Sequence, residues 1–133
     1  MSGVVNDVVR WFHLLAAAVW IGGSITVGAL VPALRRAGAT TEQIRAAARR
    51  FGVVAWTALA VSITTGIIQV ARFHIMVRGN ARLTLKLTLV GAAVVVTYVH
   101  QMTAARSRPA VRGALEGLSL VLALAILGAA VAL

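Results

Sequence analysis

Four apolar runs decide what this chain can fold into: residues 11–34, 51–71, 83–102 and 114–133. Each is about as long as the roughly 20 residues that carry a helix across a bilayer. Tyr98 aside, the runs hold four ionisable side chains between them, His13, Lys86, His100 and Glu116. Hydrophobic residues make up 60% of the 133, and mean hydropathy is +0.93, too much apolar surface for the interior of a soluble domain this small. In lipid the backbone must satisfy its own hydrogen bonds, which leaves helices or closed barrels, and four spans do not close a barrel. The sequence therefore predicts an all-α integral membrane protein. Short connections make neighbouring helices antiparallel, so the expected architecture is a four-helix up-down-up-down bundle, one domain over 1–133.

One stretch argues locally against this. "RLTLKLTLV", residues 82–90, alternates apolar and polar residues as a half-buried strand does. The apolar "GAAVVVTYV" that follows, and the cost of an open strand in lipid, make 82–102 a helix with Lys86 about one turn inside it.

The formal net charge of +10 does not point to nucleic acid, because twelve of the thirteen basic residues lie between or at the ends of the spans. Arg35, Arg36, Arg45, Arg49 and Arg50 fall in the first connection and Arg106, Arg108 and Arg112 in the third. The opposite side carries only Arg10, Arg72, Arg78 and Arg82. The positive-inside rule then puts the first and third connections in the cytoplasm and both termini on the outer face of a cell membrane. The absence of cysteine excludes disulfides, thiolate metal sites and covalent haem attachment. The apolar run after Arg10 is about twice the length of a signal-peptide core and reads as a retained span.

The first connection has structure of its own. Gly38 ends the first helix, Thr40 and Gln43 have capping-box spacing for a second, and Glu42 can pair with Arg45 at i,i+3. That second helix is expected to run unbroken into the second span. Pro109 marks the third connection. Small residues suited to close helix contact recur on span four, Ala125 with Ala129 and Gly128 with Ala132.

An ionisable side chain inside a membrane costs about 2.5–3.5 kcal/mol on insertion scales, which makes each one a functional candidate. Depth sorts the polar groups into two layers. His13, Lys86 and Gln69 lie toward the outer face with His74 just beyond, and His100 and Glu116 lie toward the inner face. Lys86, Ala93 and His100 are spaced by sevens and share one face of their helix. Each group also has a structural role open to it. Lys86 can snorkel to the interface, His13 can bond a neighbouring helix, His74 can be an interfacial loop residue, and Glu116 can be a helix-start carboxylate near Arg112. Trp11, Trp20 and Trp56 suit an interfacial belt, although Trp20 is deep enough for packing or a pocket wall.

Histidines on bundle helices suit axial ligation of haem iron, and they suit copper as well. "HIM" (74–76) and "HQM" (100–102) place His and Met on nearly opposite sides of a helix, a poor copper chelate.

The segments "FHLLAAAVWIGG", "RRFGVVAWTALAVSITTGII", "LTLKLTLVGAAVVVTYVHQ" and "ALEGLSLVLALAILGAA" together resemble a known membrane domain. It is the one shared by copper resistance protein D (CopD-like) proteins and the HemJ-type protoporphyrinogen oxidases. The resemblance spans essentially the whole chain. It is most specific at His13 with Trp20, Gly22 and Gly23, and around Lys86; Glu116 falls where HemJ-type proteins have an acidic residue. It implies a helical bundle that binds haem b, with His13 as a haem ligand and Lys86 as a functional group near the haem or a porphyrin substrate.

Two functions follow as expectations. In the first, the chain binds haem b and works in electron transfer or oxidation, as a membrane oxidoreductase or beside a redox partner. His13 ligates iron, Lys86 meets a carboxylate, Gln69 and Trp20 line the site, and His100 offers a second redox site. The second is copper transport, with His13, His74 and Met76 as ligands. A cofactor-free subunit of a larger membrane complex is the plainest alternative, and a homo-oligomer fits any of these.

Overall fold

The computed structural model describes residues 2–72, 79–103 and 106–131. The class is all-α, as expected: α1 (Ser2–Arg36), α2 (Thr41–Arg72), α3 (Ala81–Thr103) and α4 (Pro109–Val131). All four are long and apolar enough to cross a bilayer, which makes the chain a multi-pass membrane protein. Residues 82–90 lie in α3, so the strand-like alternation carries no strand.

Helices α1, α2 and α4 begin before the apolar runs do, at Ser2, Thr41 and Pro109 against 11, 51 and 114. Hydropathy marks where side chains can meet lipid, whereas the i to i−4 hydrogen bonds continue through polar residues such as Asp7 and Arg10 until a cap ends them.

The caps are explicit in the sequence. Gly38 adopts φ +87°, and Ala39 N–H donates to Leu34 O at 3.0 Å while Gly38 N–H donates to Arg35 O at 3.1 Å. That pair of bonds is a Schellman motif, which needs a residue free of Cβ strain at the left-handed position. Thr40 and Gln43 then form the expected capping box. Thr40 N–H donates to Gln43 Oε1 at 2.9 Å, and Gln43 N–H donates to Thr40 Oγ1 at 3.2 Å. Thr40→Ala is expected to cost about 1 kcal/mol, read as a lower unfolding midpoint in detergent with the helix content of the folded state unchanged. Asn80 caps α3 through Oδ1, which accepts from Leu83 N–H at 3.1 Å, and Pro109 opens α4 where its missing N–H costs nothing.

One expectation in this region is corrected. Glu42 pairs with Arg49, at 3.1 Å, rather than with Arg45. Both Arg45 and Arg49 lie within reach along the helix, and Arg49 is one turn further on. Both partners are well exposed, so the pair contributes little.

The chain divides into two compact units, the α1–α2 hairpin and the α3–α4 hairpin. In the first, Ala16, Trp20 and Ile21 of α1 and Ala55, Ala58 and Leu59 of α2 form the buried seam. In the second, the most buried residues are Leu83 and Ala93 of α3 and Ala123 of α4. Close approach here rests on Ala93 and Ala123, while Ala125 and Gly128 are exposed. Only 6–17% of the residues in each apolar stretch are buried by protein, so lipid is the solvent for the rest. Helix pairing in that setting relies on close packing and interhelical hydrogen bonds, because lipid tails are as apolar as leucine.

Candidate functional site

The α1–α2 hairpin has a constant antiparallel register: His13 meets Ser62, Thr65 and Gly66, and Gly23 meets Phe51. Around His13 the α2 face is polar and small. Ser62, Thr65, Gly66 and Gln69 recur at three-, four- and seven-residue spacing, so they form a single stripe. His13 Nδ1 lies 2.8 Å from the backbone oxygen of Ser62 and 3.1 Å from Thr65 Oγ1. A carbonyl oxygen can only accept, so Nδ1 carries a proton. Thr65 spends its own hydroxyl proton on Val61 O at 2.6 Å, which leaves its oxygen to accept from His13. The backbone oxygen of Ser62 is available because Thr65 Oγ1, 3.1 Å away, has a better acceptor in Val61.

Two consequences follow. The neutral ring is fixed in the Nδ1–H tautomer, so Nε2 is its acceptor nitrogen. The ring is also held in place by α2, because a Cβ built on Gly66 would stand 3.4 Å from His13 Cε1 and 3.7 Å from Nδ1. Glycine at 66 lets the imidazole lie against the α2 backbone. The ring itself is only part-buried.

Gln69 is half-buried one turn beyond Thr65 on the same stripe, and its Nε2 donates to Thr65 O at 3.3 Å. Trp20, 6% exposed, packs in the seam of this hairpin, and its carbonyl accepts from Ser24 Oγ at 2.8 Å. The hairpin thus brings His13 and Gln69 to one polar stripe, with Trp20 two turns along α1. Sequence reasoning missed Ser62, Thr65 and Gly66. Their signal is present in "SITTGIIQ", where the polar and small residues fall at helical spacing within an otherwise apolar span.

In the second hairpin Lys86, Ala93 and His100 share the buried stripe of α3, as their spacing predicts: Ala93 is fully buried and both flanking residues are part-buried. Among the described residues the Lys86 ammonium makes no hydrogen bond or ion pair. His100 Nδ1 and Arg112 Nε are shielded from solvent without a hydrogen-bond partner. A buried polar group left unmet costs about 1–3 kcal/mol. Glu116 is exposed, and Arg112, which could have paired with it, donates Nη2 to Ser107 O at 3.2 Å instead. His74 and Met76, the remaining copper candidates, lie outside the described residues. Among the described residues no three His, Asp or Glu side chains gather as a metal cluster.

No family model, curated protein or solved structure matches the chain.

The residues around His13 would suit a ligand to haem iron. Ligating histidines almost always donate their second ring N–H to a carbonyl or carboxylate, which fixes the ring and raises the basicity of the ligating nitrogen. His13 has that arrangement through Ser62, in an apolar span suited to a porphyrin.

Proposed function

We propose that this chain is a b-haem-binding membrane protein acting in electron transfer or oxidation, of the CopD and HemJ type that its sequence resembles. One observation carries the reading: His13 donates Nδ1–H to the Ser62 carbonyl at 2.8 Å, which presents Nε2 as a basic nitrogen on a fixed ring. His13 is the residue that would hold haem iron, and haem when bound supplies one-electron chemistry. Thr65 and Gly66 orient the imidazole, and Gln69 adds an amide to the same stripe. Lys86 supplies an ammonium within a membrane span, the group that a porphyrin or substrate carboxylate calls for. Electron transfer requires a redox partner in or at the bilayer. The arginine asymmetry supports an orientation in this reading with both termini on the outer face and the first and third connections cytoplasmic.

The test is the absorption spectrum of the detergent-purified chain, oxidised and then dithionite-reduced, with a pyridine haemochrome count. A b-type spectrum is expected. A protein colourless even after haem reconstitution overturns the reading and returns attention to copper handling or to a cofactor-free subunit.

A further inference from the structure

We infer that the connection end of the α3–α4 hairpin binds the phosphate of an anionic phospholipid between His100 and Arg112. This goes beyond the haem reading and does not depend on it.

His100 lies three residues before the end of α3 at Thr103, and Arg112 three residues after the start of α4 at Pro109. In an antiparallel hairpin, equal distance from the connection puts the two at one level. Both are part-buried, while Val99 and Gln101 beside the first and Val111 and Gly113 beside the second are exposed. Since α3 packs against α4 in this unit, both side chains belong to the seam.

His100 Nδ1 and Arg112 Nε are the two buried side-chain polar atoms without a partner among the described residues, and both residues belong to the connection end of this hairpin. Arg112 anchors itself through Nη2 on Ser107 O, which leaves Nε–H as a donor with no acceptor. A guanidinium is always charged and can only donate, and imidazole Nδ1 can donate as well. What satisfies both is a group with several acceptor oxygens and negative charge. A metal ion on His100 would be repelled by the guanidinium, so this pair favours an anion over a second metal site.

Arg106 and Arg108, both exposed, add positive charge on the same connection, and no acidic residue lies between Lys86 and Glu116. A connection between two membrane-spanning helices sits at headgroup depth. Phosphate diesters are the anions concentrated there, and basic pockets between spans are suited to them.

The experiment uses the full chain, delipidated in detergent and titrated with phosphatidylglycerol or with phosphatidylcholine of the same acyl chains, bound lipid being counted by native mass spectrometry. Phosphatidylglycerol is expected to bind in preference. Arg112→Gln and His100→Gln should each weaken it about fivefold or more, roughly what one basic residue is worth at an anionic surface. Arg49→Gln, at an exposed site in the first connection, should leave it unchanged. Should Arg112→Gln fail to fold, His100→Gln carries the test by the same criterion. Equal binding of the two lipids, or wild-type phosphatidylglycerol binding by the folded variants, overturns the proposal. So does Arg112-dependent binding of inorganic phosphate without any preference for phosphatidylglycerol, which would make this a site for a soluble anion.

Discussion

On the proposed haem reading, replacing His13 with alanine is expected to abolish the Soret band, and replacing it with glycine to give a chain whose band returns on adding imidazole. The hairpin itself should survive both changes. What α2 loses is the Nδ1–H of His13 shared between Ser62 O and Thr65 Oγ1, where a typical hydrogen bond is worth about 0.5–1.5 kcal/mol net, against a seam that also rests on Trp20, Ile21, Ala58 and Leu59. Rescue by free imidazole separates loss of a ligand from loss of fold, because a misfolded hairpin would not respond. The supporting contacts predict a graded series. Partners that orient a ligating histidine change metal affinity by about 10–100-fold. Thr65→Val removes the longer contact, 3.1 Å, and leaves the Ser62 carbonyl at 2.8 Å, so its effect should fall at the low end. A Soret band of wild-type intensity in His13→Ala would remove His13 from the site.

The second large effect concerns packing and is independent of any cofactor. A Cβ at Gly23 would stand 2.6 Å from Phe51 Cε2, closer than carbon atoms tolerate, and in tight contact at 3.3 Å from Cζ. Gly23→Val must push the Phe51 ring aside, and overpacking of this kind costs about 1–3 kcal/mol. The neighbouring Gly22 has nothing within 4 Å, so Gly22→Val is the matched control and should be close to neutral. Unfolding in detergent reads both. In a Phe51→Ala background the cost at Gly23 should largely vanish, because contacting residues couple while distant ones add. A cost that stays the same without the ring would mean that Gly23 matters for some reason other than this contact. The experiment also separates the two glycines that follow Trp20, since only Gly23 faces the seam.

The Schellman turn at Gly38, the Thr40–Gln43 capping box and the four membrane-length helices are legible in the sequence because each depends on residues within a few positions of one another or on total apolar length. The common stripe of Lys86, Ala93 and His100 is legible for the same reason, being a matter of helical period. The partners of His13 are not. Ser62, Thr65 and Gly66 lie about fifty residues away, and their pairing with His13 depends on hairpin register and on the rotation of each helix about its axis. In water an amphipathic pattern would reveal that rotation. Here lipid-facing and seam-facing sides are both apolar, so hydropathy does not distinguish them, and small residues and single hydrogen bonds decide instead. The same reason explains why Gly23 rather than Gly22 meets an aromatic ring. The sequence by itself determined the solvent, the helices and their caps. Only the tertiary structure decided which face of each helix met its neighbour, and with it the tautomer of His13 and the unpartnered nitrogens of His100 and Arg112.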